Sequence, residues 1–361
     1  MHPMVSSTDW GVRIGPFRSG PTNSVLDVFG VGLGHATVSY DEAEPPAGRG
    51  VARTGVTVLD PGGDVWASPI PAGVAVLNGA GELTARSQIE EWGIVETPVF
   101  LTSTMQVGRV YDAACRLLMA EQPRIGVDDV VIPVVGECDD SWLNDSRQMH
   151  VSDADVELAL SMARGSVGST ADPLQGAVGA GTGMCCYGWK GGIGTSSRVL
   201  PDGHVVAVLL LTNFGQWDRL TMAGVQVGAL MGKPTEQQRS PAGSCLGVVI
   251  TDAPIDAAGC VRLARRIGLG LARTGSTAHH ASGEIFLALA TGLRAPRGDL
   301  SSVKPITGRA LDDYFAAVVD ASEEAVLQSL MSATTTTGVA GRTINALPAD
   351  RVRQVLEEHH G

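Results

Sequence analysis

Five places in this chain carry side chains whose types and spacing can do chemistry. At Gly243-Ser244 a polar segment with two prolines, residues 231–242 (MGKPTEQQRSPA), runs directly into the apolar run that starts at Cys245. A serine there can attack the carbonyl of its own preceding residue, and glycine before it removes the Cβ that would obstruct a strained approach. Breaking that peptide gives Ser244 a free α-amine beside its hydroxyl. Such an amine titrates near pH ~7.7–8.0 and suits a general base for its own Oγ. Seen alone, the dipeptide reads first as a turn serine at an ordinary loop-to-strand junction. In Ala281-Ser282-Gly283-Glu284, Ser282 and Glu284 are two apart and share a face at a strand edge. The carboxylate can hold the ammonium of a neighbouring N-terminal serine, and the hydroxyl can relay a proton; alone, this is a Ser-Gly turn with a solvated glutamate. Asn213 closes an apolar run ahead of Phe214-Gly215, where its amide can donate to an oxyanion or simply end the strand in a turn.

The fourth place, Gly136 to Asp145, holds Glu137, Asp139, Asp140 and Asp145 beside Trp142. It is a candidate pocket for a substrate ammonium; read alone, it is a solvated acidic turn. It is a poor calcium loop, lacking the EF-hand spacing, central glycine and closing glutamate. The fifth is the run Gly176 to Gly183, with Gly188, Gly191, Gly192 and Gly194 beyond it. A dinucleotide fingerprint fails here: Met184 stands where its third glycine belongs, no clear strand leads in and no helix follows. These glycines allow close backbone packing around a pocket instead. Cys245 is a rival nucleophile, but as the strand neighbour of Ser244 it points the opposite way, into the core. The cysteines (Cys115, Cys138, Cys185, Cys186, Cys245, Cys260) form no C-x-x-C pair and have no His-x-x-x-His partner. A zinc site is therefore unsupported, and the thiols are expected reduced, several of them acting as small hydrophobes. His279-His280 lies just before Ser282, at the edge of the candidate site, and His359-His360 is expected to be solvated.

The elements that must position these residues alternate short apolar runs with helical periodicity. Strands are predicted at Val74–Leu77, Pro98–Leu101, Val130–Val135, His204–Thr212, Cys245–Thr251 and Glu284–Ala290, mostly β-branched and apolar on both faces, as for a sheet covered on both sides. Helices are predicted at Val107–Glu121, Asp153–Arg164, Asp256–Arg273, Leu311–Ala333 and Ala349–Glu358. Ser152, Asp256 and Pro348 stand at their starts and Gly275 just past the end of the third. The class is mixed α and β. With 361 residues, 44% apolar, the chain can build a sizeable core. Twenty-six basic against 38 acidic side chains give a net charge of −12, which argues against duplex nucleic acid or an anionic membrane surface as partner. No stretch approaches the length of a membrane span, and the first twenty residues hold no apolar core of signal-peptide length, so the expected compartment is the cytoplasm.

Taken together, these segments resemble the autoprocessed L-aminopeptidase/D-esterases and β-peptidyl aminopeptidases, the DmpA-like serine peptidases. The resemblance rests on Asn23 to His35, Arg53 to Thr57, Asn78-Gly-Ala-Gly-Glu82, Trp142-Leu-Asn-Asp145, Gly181 to Met184, Lys190 to Arg198, Thr251 to Pro254, Leu263 to Arg266, Gly270 to Ser276 and Ser282 to Leu287, in the same order from about residue 12 to about residue 330. It implies an α+β fold, a four-layer αββα sandwich shared with ornithine acetyltransferase-like proteins. It implies one domain over residues 1–361 that cuts itself between Gly243 and Ser244 into a large fragment, 1–243, and a small one, 244–361, which stay associated. It implies that Ser244 is the nucleophile, that Ser282 and Glu284 contact its hydroxyl and new amine, that Asn213 is the oxyanion donor and that Glu137 holds the substrate's amino group. Asp139 and Trp142 join Glu137 as candidate substrate-binding residues. No metal or cofactor is implied, and fragment pairs are expected to assemble as homotetramers. The substrate would be a small peptide, aminoacyl amide or ester with a free amine. Asp139 stands where the family usually has tyrosine, and Asn78-Gly-Ala-Gly where it tends to repeat asparagine. The departure at Asp139 motivates a rival reading as a catalytically lapsed binding or scaffold relative, and the shared fold a second rival, an acyltransferase.

Overall fold

The computed structural model describes residues 12–44, 50–234 and 243–360. Residues 235–242 of the polar segment before Ser244, and the first eleven residues, lie outside that range, as does the side chain of His360. In chain order the strands are β1 (Gly32–Tyr40), β2 (Ala52–Asp60), β3 (Ile70–Gly79), β4 (Ile94–Val95), β5 (Val99–Ser103), β6 (Val134–Cys138) and β7 (Cys185–Cys186). They continue with β8 (Trp189–Lys190), β9 (Ile193–Val199), β10 (Val205–Asn213), β11 (Ser244–Thr251), β12 (Gly283–Ala290), β13 (Thr336–Thr337) and β14 (Thr343–Ile344). The helices are α1 (Arg86–Trp92), α2 (Val107–Glu121), α3 (Asp153–Gly165), α4 (Val227–Met231), α5 (Ala257–Arg273), α6 (Asp312–Met331) and α7 (Ala349–His360).

Two sheets form the centre, one ordered β1-β2-β5-β6 and the other β4-β3-β12-β11-β10-β9. Because side chains alternate along a strand, each sheet presents one apolar set inward and another outward. Leu33, Leu59, Val99 and Leu101 of the first sheet meet Leu209, Leu211, Leu246, Val248, Leu287 and Leu289 of the second in a core between the sheets. The outer face of the second sheet (Val208, Leu210, Cys245, Val249, Phe286) packs on α5 and α6 through Leu263, Ile267, Tyr314 and Ala317. The outer face of the first (Val56, Val58, Phe100) packs on α2 and α3 through Val110, Ala114, Val156 and Leu160. The architecture is therefore the four-layer αββα sandwich.

The register of β11 fixes the two neighbouring candidates for nucleophile. Ser244 has the parity of Leu246, Val248 and Ile250 and faces the other sheet; Cys245 is fully buried on the helix side. Two helix ends follow the predicted chemistry. The Ser152 hydroxyl accepts from Asp155 N–H while the Asp155 carboxylate accepts from Ser152 N–H, a capping box. At the end of α5, Gly275 has φ +97°, its N–H reaches the Ala272 carbonyl and Ser276 N–H reaches Leu271, a Schellman closure.

The strand expected at Val130–Val135 is displaced. It begins at Val134, because Pro133 has no N–H for the ladder, and it runs on to Cys138, which places Glu137 inside the sheet. Three long strands, β1, β2 and β9, were not predicted. They carry glycine, threonine, serine and arginine where an apolar run was sought.

Candidate active site

Three adjacent strands of the second sheet bring the serine junction together. Ser244 pairs with Asn213 on antiparallel β10 and with Gly283 on parallel β12. Ser282 and Glu284 therefore flank its partner in the neighbouring strand. The Gly243 carbonyl, the group that the Ser244 hydroxyl would have to attack, accepts a hydrogen bond from Gly283 N–H at 3.1 Å. Both glycines are required by close approach. A Cβ at Gly243 would lie 2.3 Å from the Asn213 carbonyl oxygen, and one at Gly283 would lie 2.2 Å from that of Ala80. Ser244 is buried, and its Oγ has no hydrogen-bond partner among the described residues.

Ser282 donates to Glu284 Oε1, as their spacing predicted, and both are buried. Glu284 Oε2 makes no hydrogen bond of good geometry among the described residues; burial raises the pKa of this carboxyl, and the Ser282 and Asn78 side chains oppose the rise. The loop before it is tied down by its backbone: the His279 carbonyl accepts from Asn78 Nδ2 at 2.7 Å and from Ser282 N–H at 2.8 Å. The His279 ring turns instead to Thr277.

Glu137 approaches from the first sheet. Its strand, β6, lies parallel to β5, and the segment after Gly81 runs along its far side, where Thr84 N–H bonds the Val135 carbonyl. Glu82 N–H then donates to Glu137 Oε1 at 2.9 Å and Thr104 Oγ1 donates to Oε2. Burial raises the Glu137 pKa, and the neighbouring Asp139 and Glu82 add to the rise; the two donors oppose it.

A cleft of about 460 Å³ joins Ser244 to Glu137, lined by Gly81, Thr104, Glu137, Asp139, Gly243 and Ser244 among others; Ser282, Glu284 and Asn213 are not among its lining residues. Of the four carboxylates expected there, two reach it. Asp140 is fully buried behind the wall, where it accepts from Ser103 Oγ at 2.8 Å and Asn144 Nδ2 at 3.1 Å. Asp145 accepts from Gly50 N–H. Trp142 is not among the cleft-lining residues: it packs under the Arg342 guanidinium, 4.3 Å from its ring centre. The glycine run packs backbone on backbone behind the sheet end; a Cβ at Gly192 would stand 1.9 Å from the Gly176 carbonyl oxygen.

Asn213 is held by its amide. Its Oδ1 accepts from Cys185 N–H at 3.0 Å, and its Nδ2 donates to the Asp139 carbonyl at 2.8 Å. Cys245 and Cys138 are buried thiols whose pKa values are pushed far up by desolvation, the reverse of what a thiolate nucleophile needs. None of the six cysteines, all of them among the described residues, forms a disulfide. Among the described residues no group of three His, Cys, Asp or Glu could hold a metal ion. Sequence reasoning put Asp140 in the pocket and not behind its wall, and it missed Thr104. Thr104 did carry a readable signal, a hydroxyl just past the run that pairs with the strand of Glu137.

A buried serine opening a strand of an αββα sandwich, with a serine–carboxylate pair beside it and a second carboxylate across a cleft, defines a serine hydrolase of the N-terminal-nucleophile type. The sequence matches peptidase family S58 over residues 23–344, and the chain belongs to that family; it is an aminopeptidase. It is 35% identical to the beta-peptidyl aminopeptidase BapA of Sphingosinicella xenopeptidilytica, over 95% of this chain and 89% of the relative. Among solved structures it is similar to the beta-aminopeptidase of a Burkholderia species (36% identity, TM-score 0.87, 98% of this chain and 99% of that one). It is also similar to the L-aminopeptidase D-Ala-esterase/amidase of Ochrobactrum anthropi, described as a variant of the Ntn hydrolase fold (33% identity, TM-score 0.90, 98% and 99%).

Proposed function

We propose that the chain cuts itself between Gly243 and Ser244 and that the mature enzyme removes the N-terminal residue of small peptides, β-amino acid peptides among them, by attack of Ser244. The observation that carries this reading is the hydrogen bond from Gly283 N–H to the Gly243 carbonyl, which polarises the bond next to the unpartnered Ser244 hydroxyl. Attack of Oγ on that carbon moves the acyl group from nitrogen to oxygen, and the Ser244 nitrogen takes the proton. Water then hydrolyses the ester, leaving a carboxylate on Gly243 and an amine on Ser244.

In turnover that amine accepts the proton of Oγ as Oγ attacks the substrate carbonyl. Glu284, one oxygen already bonded to Ser282, supports the ammonium so formed, and Ser282 relays its proton to the departing amine. Asn213 donates to the oxyanion; such a donor contributes about 3–4 kcal/mol in comparable sites. Glu137 holds the substrate ammonium, with Asp139 at the same wall. Water releases the acyl group by the same base. Asp139 keeps its place in the cleft wall, so the binding-only reading and the acyltransferase reading remain outcomes of one test. Turnover of an aminoacyl p-nitroanilide that disappears in Ser244→Ala supports hydrolysis. Binding without turnover supports the first rival, and amide synthesis with an added amine the second.

Among the described residues no helix is long and apolar enough to cross a membrane. Thiols free of disulfides support a reducing compartment, and our reading is a cytoplasmic homotetramer of fragment pairs, a state that light scattering on the purified protein measures.

A further inference from the structure

Lys190 closes β8 and is fully buried. Its Nζ donates to three backbone carbonyls, those of Gly181 at 3.0 Å, Met184 at 2.7 Å and Gly191 at 2.8 Å. No carboxylate pairs with it among the described residues. The titratable groups facing it are the thiols of Cys185 and Cys186, the latter pushed up to about 12 by burial. Desolvation lowers the lysine itself to about 8. An unpaired buried charge is costly, and charge is more than three carbonyls require.

The Met184 carbonyl and the Cys185 N–H belong to one planar peptide. That N–H is the donor that fixes Asn213 Oδ1 at 3.0 Å, while Asn213 Nδ2 reaches the Asp139 carbonyl at the cleft wall. The hairpin carrying both ends of the link is rigid: Cys185 pairs with Lys190, and Tyr187 and Gly188 at its tip both have positive φ, as a two-residue hairpin turn demands. An ammonium on the carbonyl side of a peptide polarises its N–H, and that N–H in turn polarises the amide that accepts from it. We propose that Lys190 is a positioning residue which, through the Met184–Cys185 peptide, orients the Asn213 side-chain amide and strengthens its N–H groups as oxyanion donors. This rests on the reading of Asn213 as the oxyanion donor.

The test is steady-state kinetics of Lys190→Met, Asn213→Ala and the double variant, with rates expressed per active site titrated by a serine-reactive acylating reagent so that only matured molecules count. Lys190→Met is expected to lower kcat roughly 10–100-fold, the range for residues that act by orienting another group, with KM within about twofold. It should weaken a boronic-acid analogue of the substrate, which forms a tetrahedral adduct, by the same factor and leave inhibition by the product amino acid unchanged. The double variant should be no slower than Asn213→Ala. An unchanged kcat per site in Lys190→Met, or losses that multiply in the double variant, overturns the relay while leaving Asn213 in place. Full turnover by Asn213→Ala overturns the oxyanion reading beneath it. Should Lys190→Met not fold, the Ser244→Ala chain answers by NMR, since no new amine then titrates in the cleft. The Asn213 side-chain amide signals should shift with the same midpoint as the Lys190 Cε signal; amide signals that stay fixed as Lys190 deprotonates contradict the link.

Discussion

Two buried carboxylates border the serine, and they are held in opposite ways. Glu137 is bonded at both oxygens, by Glu82 N–H and Thr104 Oγ1. Glu284 is bonded at one, by Ser282, and among the described residues its other oxygen makes no hydrogen bond of good geometry, with only the Asn78 amide facing the group. A carboxylate fixed at both ends has a set position, which suits holding a cation brought by the substrate. A carboxylate with an open oxygen has capacity for the new ammonium that the proposed cut would create. The difference separates binding from chemistry and predicts how variants split.

The largest effect is expected at the group common to both. Ser244→Ala should lose turnover by about 10⁶-fold, as nucleophile removal does elsewhere, and should remain uncut. Glu284→Gln should reduce kcat by roughly 10²–10³-fold, the scale of a lost acid–base contribution, with KM little changed. Equal loss in KM would erase the distinction from Glu137. Glu137→Gln should raise KM about 10–100-fold for substrates with a free amine, the cost of one charge-assisted hydrogen bond, with kcat nearly kept. Burial raises the Glu137 pKa, so in the parent enzyme KM should climb as pH falls into that raised range, because protonation removes the partner of the ammonium. In Glu137→Gln that limb should vanish, and a KM profile that keeps it assigns the titration elsewhere.

The smallest effect concerns stability. Burial lifts Asp140 from 3.8 to about 6. The folded state thus binds the proton more tightly than the unfolded one, and this group's penalty is absent below pH 3.8, grows between the two values and is complete above 6. Asp140→Asn should gain up to about 3 kcal/mol relative to the parent between pH 4 and pH 7, read as a pH-dependent difference in urea midpoint. A difference that is flat with pH removes the buried charge from the account.

The serine side of the site was legible because its strands are apolar on both faces and end in residues that cannot belong to such a run: Asn213, Gly243-Ser244 and Ser282-Gly-Glu284. Spacing alone placed Ser282 against Glu284 and turned Cys245 away from Ser244. Candidate roles for these residues could be read from their types, each beside an ordinary turn reading, and the family resemblance decided between the two. The Glu137 side was harder. Pro133 moved its strand, and two of its four carboxylates serve the wall instead of the cleft. Trp142 was read as a pocket residue but stacks on Arg342, two hundred positions away, which no local pattern reveals. β9 was invisible for a different reason. Its Thr195, Ser196, Ser197 and Arg198 are buried because Val208, Asn23, Asp27 and Glu324 satisfy them, and burial bought by distant hydrogen bonds leaves no hydrophobic period.

The most direct measurement is intact mass and N-terminal sequencing of an active preparation. Two polypeptides of 243 and 118 residues, roughly 25 and 12 kDa of the 37.4 kDa total, with the shorter beginning Ser-Cys-Leu-Gly, are predicted. A fully active preparation that consists of one unbroken 361-residue chain would contradict it.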